Sequence, residues 1–226
     1  MGGGNSTNSP TPFMSRMVMP LYYIENATLN ETECAQIQNS WQLIIDDKGP
    51  GYLQVKRDNL ISEGQTGVVH FYDHFYNRLF DVHPSSRDLF QCNMVVMGKM
   101  LVAMLTAAIK LLTDLPVLVP KLQTLAKIHS EKGVMSYQYG IVGEVLLWTL
   151  NKCLGAGYFE EVKVSWVKVY SIILSVMVPE ALRVEADIYN KSQTEVAYTE
   201  TKSTSGTTTT ASTASTATST TTTDES

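Results

Sequence analysis

Apolar residues in this chain return at every third and fourth position, and nowhere do they alternate at period two for long enough to build a strand. That pattern restricts the fold to helices packed on helices. Val69, Tyr72, Phe75, Tyr76, Leu79 and Phe80 share one stripe between Val68 and Val82. Met97, Leu101, Met104, Leu105 and Ala108 form a second, and Leu122, Leu125 and His129 continue a third. Asn30, with Glu33 three residues later, predicts a capped start for the first helix, which runs through Ile37, Trp41 and Ile44. His83-Pro84 ends the helix before it, because the residue preceding proline disfavours helical angles. Two longer helices are expected over 139–154 and 159–177, parted by the stop signal Gly155-Ala156-Gly157. These segments make about six helices and an all-α fold.

At 226 residues and 44% hydrophobic, the chain can bury one core, and its polar ends suggest one domain with tails. We expect a disordered N-terminal extension over 1–28, the helical domain over 29–183 and a disordered Thr/Ser-rich tail over 184–226. From Gln193 onward large apolar residues nearly vanish, so the tail cannot bury enough surface to offset its ordering entropy. Residues 47–66 hold Gly49-Pro50-Gly51 and no clear apolar period, which reads as an inserted surface loop.

A formal charge of −5 and scattered Lys and Arg give no basic stripe for phosphates, so nucleic acid is excluded as a partner. Cys34, Cys92 and Cys153 are widely spaced with no CxxC, which argues for free thiols in a reducing compartment and against structural zinc. The stretch Met14 to Ile24 is broken by Ser15, Arg16 and Pro20, too short for a membrane span or signal sequence. A cytoplasmic protein is expected, and the sequons at Asn26 and Asn30 then carry no glycan. Gly2 with Ser6 fits the myristoylation pattern. A single acyl chain gives weak membrane association, and only Arg16 adds basic support nearby.

His129 is the one histidine in the C-terminal half, with Leu125 one helical turn before it. A neutral imidazole projecting from a helix beside a leucine that can pack on a flat apolar ligand is how proteins hold haem iron from one side. Alone, such a residue is equally a packed or surface histidine. His70 and His74, spaced i and i+4, are half a metal site without an evident third ligand, and solvated helix histidines are commoner.

Five segments carry a resemblance that decides between these readings. They are Phe75-Tyr76-Asn77-Arg78-Leu79-Phe80, Leu89-Phe90, Met97-Gly98-Lys99-Met100-Leu101, His129-Ser130-Glu131-Lys132-Gly133-Val134 and Val142-Gly143-Glu144-Val145-Leu146-Leu147-Trp148-Thr149-Leu150. Between Val68 and Met177 the chain resembles a single-domain globin, and Trp41 extends the match to about residues 30–180. The resemblance implies a three-over-three helical sandwich around a pocket for haem b. His129 is then the proximal iron ligand, with Leu125 beneath the porphyrin and Phe90 wedging it in place. Tyr76 faces the bound gas and Met97 holds the distal position, directly before Gly98, a small residue expected to let helix and haem approach. Leu101, Val134, Tyr139 and Val142 line the pocket further. Phe90 and Met97 are only seven residues apart, which is similar to bacterial and protist globins with a short connection there.

Oxygen, nitric oxide and carbon monoxide are the ligands this resemblance implies. The thioether of Met97 is a weak acceptor and no donor, so hydrogen bonding to a gas falls to the Tyr76 hydroxyl. Met97 either fills the pocket as an adaptable apolar side chain or serves as a sixth iron ligand. Gas binding, storage or transport is one function. Nitric oxide dioxygenase activity is a second and needs an external reductase, because no GxGxxG lies in this chain. A haem-based redox or gas sensor, or an electron-transfer protein, is a third and follows from Met97 ligation. A haem-free helical interaction domain is the reading outside this class.

Overall fold

In the computed structural model, residues 12–90 and 93–205 are described. They form eight α-helices and two short 3₁₀ turns, with no strand among the described residues: α1 (Pro12–Val18), α2 (Glu31–Ile45), α3 (Pro50–Arg57), α4 (Gly67–Val82), α5 (Met94–Lys110), α6 (Leu115–Glu131), α7 (Gln138–Leu154) and α8 (Glu160–Ser205). Residues up to Ala186 make one compact unit, and the chain from Asp187 makes a second.

Local chemistry sets the helix starts. Asn30 Oδ1 accepts from the Glu33 amide at 2.9 Å while the Asn30 amide donates to Glu33 Oε2 at 3.0 Å, closing the capping box expected at α2. Glu33 also pairs with Lys168 on α8, so one carboxylate caps a helix and ties it to another. The side chain of Thr66 accepts from the Val69 amide at 3.2 Å and starts α4, which ends at His83 as the following proline requires.

The core gathers where α2, α4, α7 and α8 meet. Trp41 lies edge-on to Phe71 at 5.1 Å and next to Trp166 at 6.3 Å. Both indole N–H groups are satisfied, Trp41 by Thr106 Oγ1 and Trp166 by Ser40 Oγ, each at 2.9 Å, so these large rings are buried without an orphaned donor. Cys34 and Cys153 are buried free thiols, and burial pushes the Cys153 thiol up to about 12. Cys92 lies outside the described residues.

Three stretches differ from the sequence expectation. The supposed loop 47–66 carries α3, whose first residue is Pro50 and whose Tyr52 is buried. A Cβ at Gly49 would sit 2.5 Å from the Cys153 carbonyl oxygen, and one at Gly51 2.1 Å from that of Lys152. The glycines that read as a turn are there so that α3 can abut the end of α7. The extension expected to be disordered over 1–28 is ordered in its second half. Val18, Met19, Tyr22 and Tyr23 pack against the core, the Tyr22 hydroxyl donates to the Gly140 carbonyl at 2.9 Å, and the Ile24 amide donates to Ser171 Oγ at 3.0 Å. Gly143 makes room for this strap, since a Cβ there would fall 1.9 Å from the Tyr22 oxygen and 2.2 Å from Tyr170.

At the other end, α8 continues to Ser205 instead of stopping near Met177. Val178 and, beyond Pro179, Ala181 and Leu182 still pack on the core, and exposed Tyr189, Ser192 and Thr194 follow in the second unit, where the Ser192 and Thr194 hydroxyls donate to the Tyr189 and Asn190 carbonyls. Among the described helices, α8 alone has the length and hydropathy to cross a membrane, but 56% of its most apolar stretch is buried in the fold. It is a core helix.

Candidate functional site

α5 and α6 are joined by the turn Leu111–Asp114. Met97 and His129 are equidistant in sequence from Thr113 at that turn, as are Leu101 and Leu125. Near the turn the two helices share a core: Leu105, Ile109 and Leu112 of the α5 end and Leu118 of α6 border a small apolar cavity of about 20 Å³ against Trp166. Away from the turn they do not pack along their lengths, among the described residues; α5 packs instead on α4 and α2.

The α6 side is built on a buried stripe of Leu118, Leu122, Ala126 and Ser130. Leu125 and His129 are one turn apart on the neighbouring, half-buried stripe. The His129 carbonyl accepts from the amides of Lys132 and Val134, both at 3.0 Å, and Gly133 at φ +86° allows that reversal. Val134 is thereby folded back beside the histidine. His129 Nδ1 is buried with no hydrogen-bond partner, and its ring lies 6.0 Å from that of Tyr139. The Tyr139 hydroxyl is also buried and unpartnered. Burial favours the neutral forms, drawing the imidazole pKa down and the phenol up. Tyr139 is fixed from behind by the Tyr170 hydroxyl, which donates to its carbonyl at 2.7 Å. The carboxylate of Glu185 accepts from the Ser136 amide and hydroxyl, anchoring the α6–α7 corner.

The α4–α5 side is aromatic. The Tyr76 hydroxyl donates to the Met97 carbonyl at 3.2 Å, longer than the usual O–H···O distance and so a weak bond. Its ring meets Phe90 edge-on at 5.2 Å, and Phe90 meets Phe80 at 5.6 Å. Burial raises the Tyr76 phenol to about 12, which keeps it a proton donor.

Gly98 does not serve the role expected of it. A Cβ there would meet the Tyr72 ring at 2.4 to 2.6 Å, so the missing side chain lets α5 close on α4, not on a ligand.

The structure therefore brings Tyr76 together with Phe90 and the Met97 carbonyl, and His129 together with Tyr139, with Leu125 one turn before the histidine on α6 and Val134 in the turn after it. Leu101 and Val142 are partly buried and pack against the core. Met100 and Met104, which the sequence reading placed in the same segment without giving them a site role, share the face of Met97 and Leu101 at helical spacing and are 56% and 49% exposed. Gly2 lies outside the described residues.

This arrangement suits a flat apolar group. The residues named supply an imidazole with an unpartnered nitrogen, aromatic rings, a thioether and leucines, and no charged side chain, which is chemistry compatible with such a group. Among the described residues, no three His, Cys, Asp or Glu side chains gather as a ready metal cage.

Comparison with known proteins points the same way. The Globin family profile matches residues 73–177. Neuroglobin-1 and Neuroglobin-2 of Oncorhynchus mykiss are each 29% identical over 165 residues, spanning 66% of this chain and 90% of theirs. A flavohemoprotein of Halalkalibacterium halodurans is 28% identical over 134 residues, 58% of this chain but only 32% of its own length. An engineered carbene transferase from Rhodothermus marinus shares the fold at a TM-score of 0.56 and 18% identity, over 72% of this chain and 99% of that one.

Proposed function

The chain belongs to the globin family and is a haem-binding globin, and on that premise we propose that it binds oxygen, with His129 as the residue that holds the haem. Haem supplies an iron whose open face takes a diatomic gas. The observation that carries the assignment is the half-buried His129 imidazole, whose Nδ1 is enclosed and has no hydrogen-bond partner in the protein.

The remaining residues then have distinct tasks. Leu125, Val134, Tyr139 and Val142 pack on the His129 side, while Phe90 and Leu101 exclude water from the other. Met100 and Met104 join that wall. Tyr76 turns its hydroxyl from the Met97 carbonyl to the gas, at little cost because the bond it leaves is weak. Met97 adds bulk without a donor and limits how much room the gas has.

A titration of the purified chain with hemin tests the assignment. One equivalent is expected to saturate the wild type with a typical haem-protein spectrum, and His129→Ala should lose it, with free imidazole restoring it. Uptake unchanged in His129→Ala would remove His129 from the role.

A second reading rests on the distal position that the globin resemblance gives Met97. If its thioether ligates the iron, the protein is a redox or gas sensor or an electron-transfer globin, with slow gas binding. Nitric oxide dioxygenase activity is the enzymatic variant of the first reading, using an external reductase. Sustained conversion of nitric oxide to nitrate with a reductase present distinguishes it from binding alone.

A further inference from the structure

The insertion over 47–66 builds a cleft of its own. Side chains of α3 and of the turn after it stand over the first half of α4, and the space between them is about 300 Å³. Its polar lining is Gln65, His70, Asp73, His74 and Asn77. The four α4 residues are spaced i, i+3, i+4 and i+7, so one helix face presents them together. The insertion is held in this position by the Tyr52 hydroxyl, which donates to the Gln65 carbonyl at 2.7 Å, and by Gln65 Nε2, which donates to Asp73 Oδ2 at 3.0 Å.

Two imidazoles face this cleft with their rings 4.1 Å apart. His74 Nδ1 lies 2.9 Å from the His70 carbonyl. A carbonyl can only accept, so Nδ1 carries the proton and Nε2 keeps its lone pair. A backbone carbonyl behind one ring nitrogen is the usual support for an imidazole that ligates a metal through the other. His70 is 3% exposed, packs beside Tyr52 at 5.5 Å and makes no hydrogen bond, yet it lines the cleft. Its ring nitrogens are not among the fully enclosed unpartnered atoms, so they open to the cleft, where a ligand can reach a lone pair.

The chemistry of the lining selects the occupant. It offers a carboxylate, two imidazoles and two amide oxygens, and no lysine or arginine. Such a lining attracts a cation, and imidazole nitrogen favours zinc, copper or nickel over magnesium or calcium. We propose that the cleft beneath the insertion binds one divalent transition-metal ion through His70 and His74, with water completing its shell and Asp73 balancing its charge. At about 30 Å³ per water, the space accommodates those water ligands. The site is separate from His129, which lies on α6.

The test is calorimetric titration of the hemin-loaded full chain with zinc chloride, where His129 is already engaged. One saturable equivalent is expected, His74→Gln should weaken it at least ten-fold, and His83→Gln should leave it unchanged. Magnesium chloride should not bind at the same concentrations. Unchanged visible and circular-dichroism spectra in His74→Gln show that the half-buried substitution has not disturbed the fold. A second variant, Asp73→Asn, keeps the imidazoles and should weaken binding less than His74→Gln does. Absence of a saturable equivalent, or equal affinity in wild type and His74→Gln, would overturn the proposal.

Discussion

Gly98→Ala probes how the distal helix is set against its neighbour. The added Cβ would sit 2.4 Å from Tyr72 Cγ and 2.6 Å from both Cδ atoms, against a comfortable carbon–carbon separation of about 3.5–4.0 Å. Tyr72 is 6% exposed, so its ring has little freedom to turn aside and α5 must lift from α4 by about an ångström. Overpacking of this kind costs about 1–3 kcal/mol, whereas alanine gains about 1 kcal/mol over glycine in helix propensity. An approach as close as 2.4 Å to a buried ring puts the cost in the upper half of that range, about 2–3 kcal/mol, and leaves an expected net loss of about 1–2 kcal/mol. In a domain of this size that lowers the unfolding midpoint by roughly 2–8 °C. Thermal unfolding of the hemin-loaded variant followed by circular dichroism reads it directly. Because the Tyr76–Met97 bond spans the same two helices, gas dissociation should change as well. Combining the change with Tyr72→Leu should recover stability beyond the sum of the single effects, since the two side chains compete for one space. A Gly98→Ala midpoint equal to or above wild type, with additive double-variant behaviour, would refute this packing argument.

Tyr76→Phe removes the donor we propose for the bound gas and is expected to speed oxygen release and autoxidation by roughly five-fold, the effect of about 1 kcal/mol in one hydrogen bond; stopped-flow release at the wild-type rate would count against it. Tyr139→Phe deletes a buried hydroxyl that has no partner and should stabilise the haem-free protein by about 1 kcal/mol, a gain that denaturant unfolding would detect and that a loss would contradict. The bond to Lys168 is the main reason the Glu33 carboxyl lies below its ordinary pKa, helped by the Asn30 amide. The unfolded chain therefore takes up that proton first as pH falls, and the stabilisation, full above about pH 4.5, is lost as pH drops through the range below it. Glu33→Gln should cost about 0.5–1 kcal/mol at neutral pH and nothing near pH 2, so parallel acid-unfolding curves would argue against the pairing.

The helix order was legible because it rests on local rules. A capping box, a residue before proline and apolar stripes each act within a few positions, so Asn30, His83 and the α4 face were readable one segment at a time. What escaped depends on distant partners. Gly49 and Gly51 signal a turn until the end of α7 stands against them, when they become the contact that docks α3. Tyr22 lies in a short apolar run with no helical period, and only Gly143, more than a hundred positions away, provides its slot. Gly98 was recognised as needing to be small, but its neighbour is Tyr72, which no spacing rule could name. At the candidate site, His129 and Met97 were singled out by the resemblance of the motifs around them, whereas the unpartnered Nδ1 and the weak Tyr76 bond required side-chain positions.

The most direct test of the whole account is the visible absorption spectrum of the hemin-loaded protein in ferric, ferrous and carbon-monoxide forms, wild type beside Met97→Leu. The account expects both to be five-coordinate in the ferrous form and to shift on adding carbon monoxide. A six-coordinate ferrous spectrum that Met97→Leu abolishes would contradict gas binding as the primary role, and a protein that takes up no haem would contradict the central assignment.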